Sequence, residues 1–287
     1  MVYLLLSILF ATGLFVIFKY FGIYKIDILK AIVINYIVAL TIGFSLSEKT
    51  ISILEIHRQP WVFGAAFLGA LFVAIFFVMA KTAQDNGVSV ASVAGKMSVV
   101  IPILFGVLLY DESVTFLKIV GIIIALIAVY LTSVKEEKSD FKKAGLLFPI
   151  LLFFGSGAID TTLKYVEVNF VPKEEVAFFS GSLFGFAAIF GILVLGIKSI
   201  KKRESFGVKN IIAGFVLGVP NYFSIVFLIK ALQTEGFESS TLFTINNVAV
   251  VIVSTVVGLL LFKEHFSFKN KMGVLLAILG IVLVTIA

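Results

Sequence analysis

Apolar runs of roughly 20 residues, separated by short polar segments, recur from one end of the chain to the other. Runs long enough to cross a hydrocarbon core of about 30 Å fall at 2–18, 28–46, 61–80, 88–109, 115–133, 144–164, 175–197, 209–230, 238–261 and 268–286. Each is expected to be a helix, because lipid offers no partner to unpaired backbone groups. The polar-in, apolar-out alternation of a membrane barrel is missing from the sequence. The pattern therefore predicts an all-α integral membrane protein with ten transmembrane helices. The first run lacks a basic leader and a clear small-residue cleavage site. It also has a counterpart later in the chain, so it reads as a span.

Composition agrees with this pattern. Hydrophobic residues make up 60% of the 287 positions and charged residues 14%, where a soluble domain would carry about 25% charge. Mean hydropathy is +1.14. Cysteine is absent, which rules out a disulfide framework, a thiolate zinc site and a thiol nucleophile. The two histidines, His57 and His265, sit between apolar runs and do not suggest a metal cluster. The net charge of +6 points to basic loops rather than nucleic-acid binding. No P-loop is present, which argues against ATP-driven pumping. No cofactor or metal is expected. The expected partners are a small-molecule substrate and the lipid bilayer, with the chain a monomer or homodimer.

The chain also repeats itself. Lys81, Gln84 and Gly87 match Lys230, Gln233 and Gly236, and GVLLYDE at 106–112 matches GLLLFKE at 258–264. Glu112-x8-Gly121 recurs as Glu264-x8-Gly273, and Lys19-Tyr20 falls more weakly on Lys164-Tyr165. The halves divide as 1–138 and 139–287, with the charged linker SVKEEKSDFKK (133–143) between them. Five helices per half is an odd number, so the second copy must cross in the opposite sense, as inverted-repeat transporters do.

The doubled motif, P-x-L-x-G-x-L-L-x-x-E ending at Glu112 and G-L-L-L-x-x-E ending at Glu264, resembles the drug/metabolite transporter superfamily in its EamA-like branch. The resemblance covers essentially the whole chain. It implies a ten-helix carrier with a central cavity that moves small metabolites by alternating access. Family members export amino acids, and relatives carry nucleotide sugars or triose phosphates. Ser254 or a neighbour stands where the family often has proline.

Polar residues inside the runs are the candidate substrate contacts. Lys96 lies about 12 Å along a helix starting at Val88. A lipid-facing lysine at that depth would cost about 3 kcal/mol, so a polar interior is the cheaper surrounding. Ser89 and Ser92 fall within about 40° of it around the helix, and Pro102 predicts a bend. Lys96 would then attract a carboxylate or phosphate; the alternatives are an interfacial anchor or an ion pair with Asp160. Ser240, Thr244, Asn247 and Ser254 form one stripe on the ninth run, expected to face the Lys96 region across a cavity, or else to adhere helices. Asn35, Asn221 and Tyr222 complete the candidates. Asp160 and Lys164, one turn apart, are expected to neutralise each other, and Lys81 and Lys230 to act as anchors at helix C-termini. Gly181-x3-Gly185 and Gly214-x3-Gly218 allow close helix approach. Glu112 and Glu264, at the turns before the fifth and tenth runs, are each expected to cap a helix N-terminus, the alternative being an ion-coupling role.

Most Lys and Arg residues lie in loops after odd-numbered runs. By the positive-inside rule this places both termini outside, whereas the better-known relatives have them inside. The function expected is a secondary transporter, an exporter of a small polar or anionic metabolite such as an amino acid, in the cell (inner) membrane. The alternatives are exchange of a phosphorylated or nucleotide-type metabolite, or a nonenzymatic channel or receptor. An enzyme would need clustered His, Asp or paired carboxylates near one membrane face, and the sequence does not offer them.

Overall fold

The computed structural model describes residues 2–46, 53–102, 104–105, 115–133, 144–172, 175–201, 206–232, 239–264 and 267–286. Among them the secondary structure is helical, with no strand. The helices are α1 (Val2–Ile23), α2 (Ile28–Ser45), α3 (Val62–Asp85), α4 (Val88–Met97) and α5 (Phe116–Ser133). They continue with α6 (Ala144–Phe170), α7 (Val176–Lys201), α8 (Val208–Leu232), α9 (Ser239–Phe262) and α10 (Phe268–Ile286). A short 3₁₀ turn, Ile53–Arg58, precedes α3. Seven of these helices are long and apolar enough to cross a membrane, and Val88–Pro102 and Ile119–Thr132 are shorter apolar segments.

The fourth run is not one continuous bent helix. Its α-helix stops at Met97, a turn occupies Ser98 and Val99, and helical backbone resumes at Val100. Pro102 accounts for the break. It has no N–H to offer the Ser98 carbonyl four residues earlier, and that carbonyl accepts from Ile101 N–H at 2.9 Å instead. The Ser98 hydroxyl turns back onto the Gly95 carbonyl at 2.6 Å.

The chain forms two compact units. The first comprises Met1–Gly22, Val78–Ala158 and Phe223–Ala287. Its centre is the packing of α5 on α10, with α9 and α4 beside them. Asn270 of α10 ties this seam by donating to the Leu131 and Thr132 carbonyls at the end of α5, at 3.1 and 2.9 Å. The second unit comprises Ile23–Phe77 and Ile159–Tyr222. There α2 is flanked by two glycine stripes. A Cβ on Gly214 or Gly218 of α8 would press on the α2 backbone. A Cβ on Gly181 of α7 would meet the Phe44 ring at 2.8 Å. In lipid, helices gain little by hiding apolar surface from one another, so these close approaches hold the unit through dispersion contacts. Trp61, fully buried, fills the end of this unit. It sits against Phe178 and Phe179 and donates to the Glu175 carboxylate at 3.4 Å.

Candidate functional site

The α4 start is the most elaborate polar arrangement in the first unit. Gly87, the residue before α4, adopts φ +113° and supplies no side-chain cap. The cap comes from Glu264, just beyond α9. Its Oε1 accepts from Val88 N–H at 2.7 Å, and its Oε2 from the Ser89 hydroxyl at 3.1 Å and Ser89 N–H at 3.5 Å. A carboxylate here satisfies orphan donors and opposes the helix dipole. Lys19 stands 4.0 Å from Oε1 and donates to the Gln84 carbonyl at 3.1 Å. Gln84 in turn donates to the Phe18 carbonyl at 3.1 Å.

The helix that Glu264 caps is α4 and not the next one in the chain. The next helix, α10, already has a reciprocal cap: Ser267 N–H donates to Asn270 Oδ1, and Asn270 N–H to the Ser267 hydroxyl. Lys263, at φ +49°, turns the chain, and Glu264 N–H closes on the Gly258 carbonyl at 3.1 Å. The carboxylate is thereby available to α4. Glu112, its sequence counterpart, and His265 lie outside the described residues.

Farther along α4, the Ser92 and Ser254 hydroxyls are in direct hydrogen-bond contact, both fully buried. Ser92 and the ninth-run stripe are therefore joined at this level and not separated by open space. Lys96 is half-buried on the last turn of α4, one residue before the helix ends, where a cation is favoured by the carbonyl end of the dipole. Asn247 is nearly buried on α9. The Ser240 and Thr244 side chains lie outside the described ones. Sequence reasoning missed the neighbouring link in which the Ser7 hydroxyl contacts the Ser224 carbonyl at 3.0 Å and Asn246 Oδ1 at 3.3 Å.

In the second unit Asn221 Nδ2 donates to Asn35 Oδ1 at 3.1 Å, joining α8 to α2 with both residues buried. Tyr222 is buried beside them in sequence, and its ring lies 3.3 Å from where a Gly43 Cβ would stand. Among the described residues, Asn35 Nδ2 and the Tyr36 hydroxyl have no hydrogen-bond partner, nor does the Thr12 hydroxyl in the first unit. Buried polar atoms without partners are uncommon. Tyr36, which no sequence pattern singled out, packs among Phe76 and Phe184. Asp160 and Lys164 are both exposed side chains of α6, outside the buried polar set. Lys230 ends α8 with its ammonium over the Tyr3 ring, 5.6 Å from the centroid.

Among the described residues no group of His, Cys, Asp or Glu could hold a metal. A cavity of about 190 Å³ lies along α5 and α6, walled by residues such as Val129, Tyr130, Ile150 and Phe153. Its apolar lining suits a hydrocarbon tail better than a polar metabolite.

Several apolar helices of spanning length, with polar side chains paired inside them, define a multi-pass membrane protein. The chain belongs to the EamA-like transporter family, whose sequence pattern matches residues 1–134 and again 143–286. Members of that family are transporters and not enzymes. A Haemophilus influenzae protein is 31% identical over 287 residues, 97% of this chain and 95% of that one. A Listeria innocua protein named "Putative sugar uptake protein lin0444" is 25% identical over 239 residues, 79% of this chain and 82% of its own. A solved structure shares the fold, with a TM-score of 0.58 at 16% identity, covering 98% of this chain and 97% of that one.

Proposed function

We propose that the protein is a secondary carrier for a small polar or anionic metabolite, working by alternating access, with ten spans arranged as inverted halves 1–138 and 139–287. Its place would be the cell (inner) membrane. The observation that carries this reading is the set of buried polar groups inside otherwise apolar helices. Ser92 meets Ser254, Asn35 meets Asn221, and Asn35 Nδ2, the Tyr36 hydroxyl and the Thr12 hydroxyl have no partner among the described residues. Polar groups at membrane depth are costly to keep and mark solute pathways. Lys96, Ser92, Asn247, Asn35, Asn221 and Tyr222 are the proposed contacts, with Ser240 and Thr244 on the same helix as Asn247. The Ser89 hydroxyl, committed to Glu264, is the weakest of the sequence candidates. Lys96 would bind a carboxylate or phosphate.

A second reading, a neutral sugar as solute, is favoured by the name of the Listeria relative and by the uncharged carboxamides at Asn35 and Asn221, which suit hydroxyl groups. Counterflow in proteoliposomes with radiolabelled L-alanine, D-glucose and glucose 6-phosphate separates these readings. Lys96→Gln should reduce exchange of L-alanine or glucose 6-phosphate at least tenfold, at equal protein content. Unchanged exchange of the charged solutes by the variant would remove Lys96 from the site, and exchange of D-glucose alone would establish the sugar reading.

A further inference from the structure

We propose that the Glu264 carboxylate is a releasable latch that positions α4, the half-helix carrying Ser92 and Lys96, and that it opens and recloses as the carrier works. The role in transport rests on the carrier reading above; the opening of the latch does not.

Helix α4 is ten residues long, and its Val88, Ala91, Val93, Ala94 and Met97 are packed inside the first unit, while its two ends are held differently. One end is the Ser98–Val99 break, which frees it from the rest of its run. The other is held by the three contacts to Glu264, with Lys19 beside the carboxylate. Among the described residues, the polar contacts between α4 and the α9 corner are a carboxylate cap and a pair of serine hydroxyls, which water can replace. Glycine at 87 and 258 in this cradle lets the carboxylate and the Ser89 hydroxyl sit this close: a Cβ on Gly87 would meet Glu264 Oε1 at 2.7 Å, and one on Gly258 would meet the Ser89 hydroxyl at 2.7 Å. A second, independent observation comes from the sequence. Most of the cradle recurs in the other half: Lys19 as Lys164, Gln84 as Gln233, Gly87 as Gly236, Gly258 as Gly106 and Glu264 as Glu112. A device kept twice, at matching points of two related halves, fits an element used in alternation better than a single brace.

The absence of native cysteine makes the opening measurable without any substrate. Ser89 is 1% exposed. In lipid nanodiscs, a Ser89→Cys variant of the full chain should react slowly with a water-soluble maleimide. Adding Glu264→Gln should speed that reaction at least tenfold, because the neutral amide holds α4 less firmly. A reference variant, Ser182→Cys at a buried position of α7, should keep its rate when Glu264→Gln is added. An unchanged rate for the thiol at position 89, or an equal acceleration for the one at position 182, would overturn the latch. The first result means no release, and the second a general loosening. The pair Ser89→Cys with Gly258→Cys then locks the seam covalently, the flexible Glu264 carboxylate giving way. Oxidation should stop counterflow of whichever of L-alanine, D-glucose or glucose 6-phosphate the unmodified chain exchanges, and a reductant should restore it. Full exchange by the oxidised pair would show α4 and α9 to be a fixed brace. Should the unmodified chain exchange none of the three, the solute reading fails while the labelling rates still decide the latch.

Discussion

Gly218→Ala probes the seam between α2 and α8 with a single added methyl group. The new Cβ would stand 2.8 Å from the Val38 Cβ and 2.9 Å from the Asn35 carbonyl oxygen. Neither atom can rotate away, and ordinary carbon contacts lie near 3.5–4.0 Å, so α8 must retreat from α2. That retreat stretches the 3.1 Å bond between Asn221 and Asn35 toward the limit of useful hydrogen bonding. Overpacking costs about 1–3 kcal/mol, and the lost interhelical bond adds about 0.6 kcal/mol. The better helix propensity of alanine returns up to about 1 kcal/mol. The net is a loss of about 0.5–3.5 kcal/mol. Gly196→Ala in α7 is the control, because nothing lies within 4 Å of its added Cβ; it should be neutral or slightly stabilising. The single tryptophan, Trp61, is buried in the same unit. Its emission during an SDS titration of detergent-solubilised protein reports the unfolding. Equal midpoints for Gly218→Ala and Gly196→Ala would refute the close approach of α2 and α8.

Tyr36→Phe removes a buried hydroxyl that has no hydrogen-bond partner among the described residues. It should leave the SDS midpoint unchanged or raised, since no hydrogen bond is lost; a drop of more than about 1 kcal/mol would mean that the hydroxyl is structurally engaged. Asn270→Ala should lower stability by about 1–2 kcal/mol, because two carbonyls at the end of α5 lose their donor. Asn270→Asp should lower it further by setting a carboxylate against those same carbonyls, and a thermal-shift series that ranks Asp above Ala would count against the seam.

Much of the fold was legible in the chain. The apolar runs fixed where helices form, and their starts agree with the observed ones to within a residue or so along most of the chain, as at Ile28, Val62, Phe116, Ala144 and Phe268. Pro102 signalled an irregularity in the fourth run, though not that the helix would stop at Met97, five residues earlier. The glycine pairs 181/185 and 214/218 announced close packing, and both stripes do lie against α2. The site was less legible. Asn35 and Asn221 were each visible as polar residues in apolar surroundings, but nothing local to either, 186 positions apart, indicated that they bond to each other. Glu264 was legible as a cap for a helix N-terminus, but nothing local to it named α4 as that helix.

What the sequence determined by itself was the solvent, the helices and the doubling of the chain, because each follows from composition or from local comparison of residues. What only the tertiary structure decided was which side of each helix faces which neighbour. In water, a polar face and an apolar face would have marked that choice along every helix. In lipid, both the exposed and the buried sides are apolar, so the choice falls to glycine gaps and a few polar pairs. Those pairs, Glu264 with the start of α4 above all, are joined across the length of the chain, where no local pattern can declare them.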